Sequence, residues 1–95
     1  MNLRKEARGR ACTVRLEGIC NHNSETVVLA HIRMPGISGM GIKAPSDLLG
    51  AWSCSACHDA IDRRSNTDLD RDYVRLAHFE GMARTIAQLC KEGKV

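Results

Sequence analysis

Aromatic residues are scarce in this 95-residue chain: Trp52, Tyr73 and Phe79 are the only three. Aromatic side chains supply much of the buried area of a core. A chain this short and this poor in them has a marginal core, and a metal or disulfide staple would help it. Runs of apolar residues are also missing. None approaches the ~18 residues of a membrane span, and the N-terminal "MNLRKEARGRAC" has no apolar h-region. Neither a transmembrane helix nor a signal peptide is expected, which predicts a cytoplasmic protein with no membrane partner. The hydrophobic fraction of 43% still suffices for a globular fold, so one domain spanning 1–95 is predicted.

Proline is rare and confined. Both prolines, with three glycines, fall in "MPGISGMGIKAPSD" (34–47), which predicts a long loop. On either side the pattern is more regular. Residues 3–9 read as a short helix ending at Gly9. "CTVRLEGIC" (12–20) starts with strand-like alternation and turns at Gly18. "ETVVLAHIR" (25–33) is the best strand, rich in β-branched residues. "LLGAWS" (48–53) fits a second strand or a short helix. A helix is expected from Cys57 to about Arg64, with Ser53 or Ser55 near its start. After the polar connection 64–70, Asp68 or Asp70 caps a C-terminal helix whose apolar stripe is Tyr73, Leu76, Ala77, Ala83, Ile86, Ala87 and Cys90. Gly81 is expected to split that helix, and "KEGKV" to fray.

Five cysteines in a cytosolic chain favour metal binding or catalysis over disulfides. Cys54 and Cys57 form a C-x-x-C, which places two sulfurs close enough to share one ion. A tetrahedral zinc needs two further ligands. Cys12 and Cys20 are the obvious pair, since a turn at Gly18 brings them together, and His22 is an alternative to Cys20. The 33 residues between Cys20 and Cys54 leave room for a structural unit between the halves. Cys90, on the apolar stripe of the last helix, reads as core. C-x-x-C-H also spells a c-type haem signal, but that reading leaves Cys12 and Cys20 unexplained. A thioredoxin-like dithiol lacks its βαβ context.

The net charge of +3 is mild, but Arg4, Lys5, Arg8, Arg10 and Arg15 crowd the first fifteen residues against one acid, Glu6. That patch suits phosphates or serves as a solvated helix face. His58 and Asp62 stand at i, i+4 on one helical face. There they either hold a second divalent ion or form an ordinary helical hydrogen bond. His31 ends the best strand, and Arg33, two residues on, shares its sheet face and could clamp a phosphate.

The order of cysteine pair, strand histidine, loop, C-x-x-C-H and helix over residues 12–64 resembles the HNH nucleases, the ββα-metal group. "LRKEARGRAC", "LAHIR", "GIK", "CSACHDAIDRR" and "EGMART" together resemble, over nearly the whole chain, the small YbcO-like nucleases of lambdoid prophages. The resemblance implies a small zinc-stabilised α+β fold of ββα-metal (HNH-like) type with flanking N- and C-terminal helices. It implies a metal-dependent DNA endonuclease. His31 matches the general base, and His58, with Asp62 one turn on, matches the ligands of a catalytic Mg2+ or Mn2+. Cys12, Cys20, Cys54 and Cys57 match the structural Zn2+ ligands. Arg4, Lys5, Arg8, Arg10, Arg33, Arg63 and Arg64 would contact DNA. The pattern departs at Ala30, where many members place an Asp or His ligand, which leaves His31 open to metal ligation. It departs again at the middle asparagine, for which Asp47 is the nearest stand-in. Two further functions stay open: a non-catalytic zinc module that binds DNA or a phage replication or recombination protein, and a redox or zinc sensor.

Overall fold

The computed structural model describes residues 2–33, 46–62 and 69–95. Among them the chain forms a small α+β fold of three helices and one two-stranded sheet. Helix α1 spans Leu3–Glu6, strand β1 Val28–His31, strand β2 Gly50–Ser53, helix α2 Ser55–Ile61 and helix α3 Arg71–Lys91. The strands are antiparallel, with Val28 opposite Ser53, Ala30 opposite Ala51 and His31 opposite Gly50.

Helix α1 is started by Asn2, whose side chain accepts from the N–H groups of Arg4 and Lys5. The turn after it ends at Gly9 with φ +77°, the left-handed conformation that favours glycine. No strand forms in 12–20. Thr13 makes one backbone bond, its N–H donating to the Trp52 carbonyl at 2.7 Å. Arg15 then adopts φ 54° and Gly18 φ 75°, which bends the chain before a ladder can extend. Strand β1 is shorter than the expected 25–33. Asn23 accepts from the N–H of Glu25 and folds Ser24–Thr26 into a 3-10 turn, since asparagine competes with sheet pairing through its own side chain.

All four residues of β2 are buried, because α3 lies across the strand. The free edge of Trp52 is closed by a ring of hydrogen bonds. Its N–H donates to Thr85 Oγ1 at 3.1 Å, and the Thr85 and Thr13 hydroxyls lie 3.0 Å apart. Thr13 Oγ1 returns to the Trp52 carbonyl at 2.9 Å. A sheet edge left bare is open to pairing with another chain, and here two threonines satisfy it. Leu16, Val14, Val27 and Trp52 belong to one buried core with Cys12, Cys54 and Cys57.

Helix α3 departs from its expectation in three ways. It runs unbroken through Gly81 for 21 residues, because that glycine is required by packing. A Cβ there would stand 3.0 Å from the backbone of Val14. Its buried face is Val74, Ala77, His78, Gly81, Thr85 and Leu89. Of the expected stripe, Tyr73, Leu76, Ala83, Ala87 and Cys90 are exposed. Cys90 is therefore not core. Ala77 of that stripe is buried and Ile86 half-buried, but hydropathy missed most of the inward face because it carries a histidine, a threonine and a glycine. The C-terminus does not fray. Gly93, with φ +72°, donates to Cys90 O, and Lys94 N–H donates to Leu89 O, each at 3.0 Å. This is the paired-bond cap that a left-handed glycine makes.

The expected loop 34–47 and polar connection 64–70 lie largely outside the described residues. Asp70 does cap α3, accepting from the N–H of Asp72 at 2.9 Å. Helix α2 begins earlier than Cys57, with the Cys54 sulfur accepting from the N–H of Cys57. No helix among the described residues is long and apolar enough to cross a membrane.

Candidate functional site

The two cysteine pairs meet. The sulfurs of Cys12, Cys20, Cys54 and Cys57 all lie within 4.8 Å of one another. A tetrahedral zinc with Zn–S of ~2.3 Å sets its sulfurs about 3.8 Å apart, and Cys20 and Cys54 stand at 3.8 Å. The turn through Arg15 and Gly18 delivers Cys12 and Cys20, and the start of α2 delivers Cys54 and Cys57. Backbone N–H groups point at the sulfurs: Arg15 donates to Cys12 at 3.5 Å and Cys57 to Cys54 at 3.4 Å. Cys12 and Cys57 titrate as a pair. The hydrogen bond between them pushes the Cys12 thiol down to about 4 and, together with burial, pushes the Cys57 thiol up. Neighbouring thiols share a proton in this way, so the first charge in the cluster forms more readily than the second. The donor set and spacing fit zinc. His22 is outside the set, with its Nδ1 3.7 Å from the Cys20 sulfur.

His31 closes β1 and is half-buried. Its Nε2 lies 2.8 Å from Asp47 Oδ1. Arg4 Nε donates to the same oxygen at 3.2 Å, so α1 is tied to the end of the sheet. The His31 hydrogen bond, and then Arg4, hold the Asp47 carboxyl below its usual range. An ionised carboxylate only accepts, so the proton of this bond sits on His31 Nε2. In the neutral imidazole, Nδ1 then carries the lone pair.

His58 and Asp62, one turn apart on α2, meet at 3.3 Å between Nε2 and Oδ2. The other oxygen, Oδ1, accepts from Arg33 Nη2 at 3.1 Å. Asp62 therefore links the helix to the chain just beyond β1, two residues after His31. Beneath this pair lies His78 of α3, 5% exposed, whose Nε2 is 2.8 Å from the Ala30 carbonyl. Burial, the largest influence, pushes the His78 pKa down, against the pull of that hydrogen bond and of the Asp62 carboxylate. Sequence reasoning missed His78, because a histidine on a helix face reads as polar surface until its partner is known. Ala30 itself is buried in the sheet at 2% exposure.

Among the described residues the four cysteines are the only cluster of three or more metal-binding side chains. His58 and Asp62 form a pair, and the nearby His78 turns its Nε2 to the Ala30 carbonyl instead of completing a three-ligand group. Arg4, Lys5 and Arg8 are exposed on and after α1. Arg10 is engaged: Glu92 holds it at 2.6 Å, Glu6 at 3.2 Å, and its guanidinium covers the Trp52 ring at 4.6 Å. Arg63 and Arg64 lie outside the described residues.

Comparison with known proteins covers nearly the whole chain. The family described as "Putative nuclease YbcO" matches residues 1–94. A curated protein of that name from Escherichia coli (strain K12) is 53% identical over 94 residues, covering 99% of this chain and 96% of the relative. "Putative nuclease ybcO" of Enterobacteria phage 82 matches to the same extent, 53% over 94 residues. A solved structure titled "Structure of a putative bacteriophage protein from Escherichia coli str. K-12 substr. MG1655" superposes with a TM-score of 0.80 at 50% identity. It covers 97% of this chain and 100% of its own.

Proposed function

The chain belongs to the YbcO family of nuclease-named proteins, and on that premise we propose that it is a metal-dependent DNA endonuclease with an HNH-like ββα-metal site built over a structural zinc. The observation that carries this reading is the polarised His31: an ionised Asp47 holds its Nε2–H at 2.8 Å and leaves Nδ1 to act as a base. The chain order of histidine strand, second strand and C-x-x-C-H helix supports it, as does the four-sulfur cluster at the start of that helix.

Histidine is the side chain suited to take a proton near neutral pH. His31 Nδ1 accepts a proton from the attacking water. The positive charge that develops on the imidazole is stabilised by Asp47, which itself stays ionised because Arg4 shares its Oδ1. His58 and Asp62 are nitrogen and oxygen donors on adjacent turns, a set compatible with Mg2+ or Mn2+ that keeps several waters. Such an ion supplies neutralisation of the phosphate and of the leaving oxygen. Arg33, three-quarters exposed at its side chain, presents its remaining N–H donors beside Asp62, where they can bind a phosphate oxygen. The four cysteines shape the fold and take no part in the reaction.

A plasmid-nicking assay with added Mg2+ or Mn2+ tests the reading. His31→Ala should lower the rate by about 10²- to 10⁴-fold, with zinc content and folded spectrum unchanged. Full cleavage by that variant would overturn the mechanism. One observation favours a second reading, a zinc module that binds DNA or a phage protein without cutting it: Ala30 offers no ligand and is packed into the sheet. That reading expects salt-dependent DNA retention and no nicking by the wild-type protein with either metal.

A further inference from the structure

Two arginines of α3 are paired with no carboxylate among the described residues. Arg71 and Arg75 stand at i, i+4 at the start of the helix, both exposed. Elsewhere Arg4 is held by Asp47, Arg10 by Glu92, Arg33 by Asp62, and Arg84 by the Thr13 carbonyl. Asp70 and Asp72 lie close by in sequence, but Asp70 is used as the helix cap, and Asp72 makes no ion pair among the described residues. The placement of the two arginines opposes local stability. Like charges at i, i+4 repel, and Arg71 in the first turn faces the positive end of the helix dipole. A sequence selected for helix stability alone would not put them there.

Both arginines open onto one cleft of about 340 Å³, and Arg33 reaches it from the end of the sheet. Val74 and the buried His78 lie beneath, with Phe79 alongside. The Arg75 guanidinium sits 5.6 Å over the Phe79 ring, which restrains its plane. Arg33 uses one nitrogen on Asp62 and has further donors in its fork. Three arginines, two on α3 and one just beyond β1, line the cleft, with no acidic side chain lining it among the described residues. Such a set matches a tetrahedral oxyanion. Arg33 belongs at once to this cleft and to the His58–Asp62 pair, so an anion in the cleft would lie next to the proposed site.

We infer that the cleft between Arg33, Arg71 and Arg75 seats a non-scissile phosphate of the bound nucleic-acid strand, beside the bond presented to His31 and His58. The inference rests on the nucleic-acid part of the proposed function and does not require cleavage. Phosphate contacts of this kind position a strand without reading its sequence. Arg71 and Arg75 are thus positioning residues, and the sequence signal for them is the R-x-x-x-R spacing at a helix start.

The test uses the full-length zinc-loaded protein and a fluorescein-labelled duplex of about two helical turns, without added Mg2+ or Mn2+. Binding is followed by anisotropy across a salt series. The double variant Arg71→Gln/Arg75→Gln should weaken binding about tenfold or more at low salt. It should also flatten the slope of log K against log salt by about 0.9, the value for one phosphate no longer neutralised. Its melting temperature should not fall, because two repelling charges are removed. Lys91→Gln, which removes a charge at the far end of α3, should leave Kd and slope nearly unchanged. The inference is overturned if the double variant binds as the wild type does. It is equally overturned if Lys91→Gln weakens binding as much per charge, or if the wild type does not bind the duplex. Cleavage is scored separately with metal added. Wild type that binds through these arginines but never nicks removes the nuclease reading and keeps this one. Arg variants that nick with unchanged KM remove this one and keep the nuclease.

Discussion

Gly81 shows how much one residue decides. In an exposed helix interior, Gly→Ala stabilises, because alanine is the better helix former by about 1 kcal/mol. Here the new Cβ would stand 3.0 Å from Val14 N and Cα, and backbone atoms of a buried segment give little. Gly81→Ala is expected to destabilise the fold by about 1–2 kcal/mol net, measured by urea denaturation; a stabilised variant would show that Val14 can move. The cysteines divide just as sharply. Cys90 is exposed and outside the sulfur cluster. Cys90→Ser should change stability by less than about 0.5 kcal/mol and leave bound zinc at one equivalent. Cys57→Ser should lose the zinc. Metal analysis of the two proteins separates the clustered thiols from the spare one. At this scale the sequence was informative where chemistry is local, as in C-x-x-C. It was silent where the reason for a residue is its neighbour, as with Gly81 and His78.

Elements are joined here by polar clamps as much as by apolar packing. The chain after α1 and the cap of α3 are fastened by Arg10 between Glu6 and Glu92, and by Lys94 on both acids. Hydrogen bonds from these cations hold both carboxyls below the ordinary 4.5, and Lys94 is raised above its ordinary value in return. A carboxyl lowered in the folded state stabilises fully above its unfolded pKa and loses that contribution as pH falls through the folded value. A raised lysine behaves oppositely, stabilising below its unfolded pKa and failing as pH rises through the folded one. The clamp is therefore complete between about pH 5 and pH 10 and weakens in acid. Glu92→Gln should lower the melting temperature by a constant amount from about pH 6 to pH 9. The gap to wild type should narrow as pH falls below about 4.5, and a gap that persists undiminished in strong acid would contradict the sign. The frayed tail expected from "KEGKV" failed on this point, since its partners are 82 and 88 residues away.

A chain of 95 residues with three aromatics buries a limited apolar surface, and its interior leans on alanines, two threonines and three of the four clustered cysteines. The cysteine cluster pins the irregular segment 12–20 against α2, and that segment in turn holds α3 through Val14 and Thr13. Removing a metal bound there should therefore loosen the whole molecule. Chelation of the purified protein should release one zinc per chain and abolish the cooperative melt, as in small domains where metal binding is a large share of folding free energy. A chelated protein that melts as before would show that the core suffices alone.

The sequence by itself determined the C-x-x-C, with Cys12 and Cys20 as its expected partners, the strand carrying His31 and the helix carrying His58, because local spacing and residue type mark them, while the family was legible in the likeness of stretches spread over residues 1–94. The resemblance to the HNH pattern also drew attention to Asp47, before any partner for it was visible. Only the tertiary structure decided that Asp47 reaches His31, that Arg33 braces Asp62, and which face of α3 is buried. Those contacts join residues 16, 29 and more positions apart. In such contacts a polar side chain becomes an interior one only through the partner that satisfies it, and no periodicity along the chain carries that information.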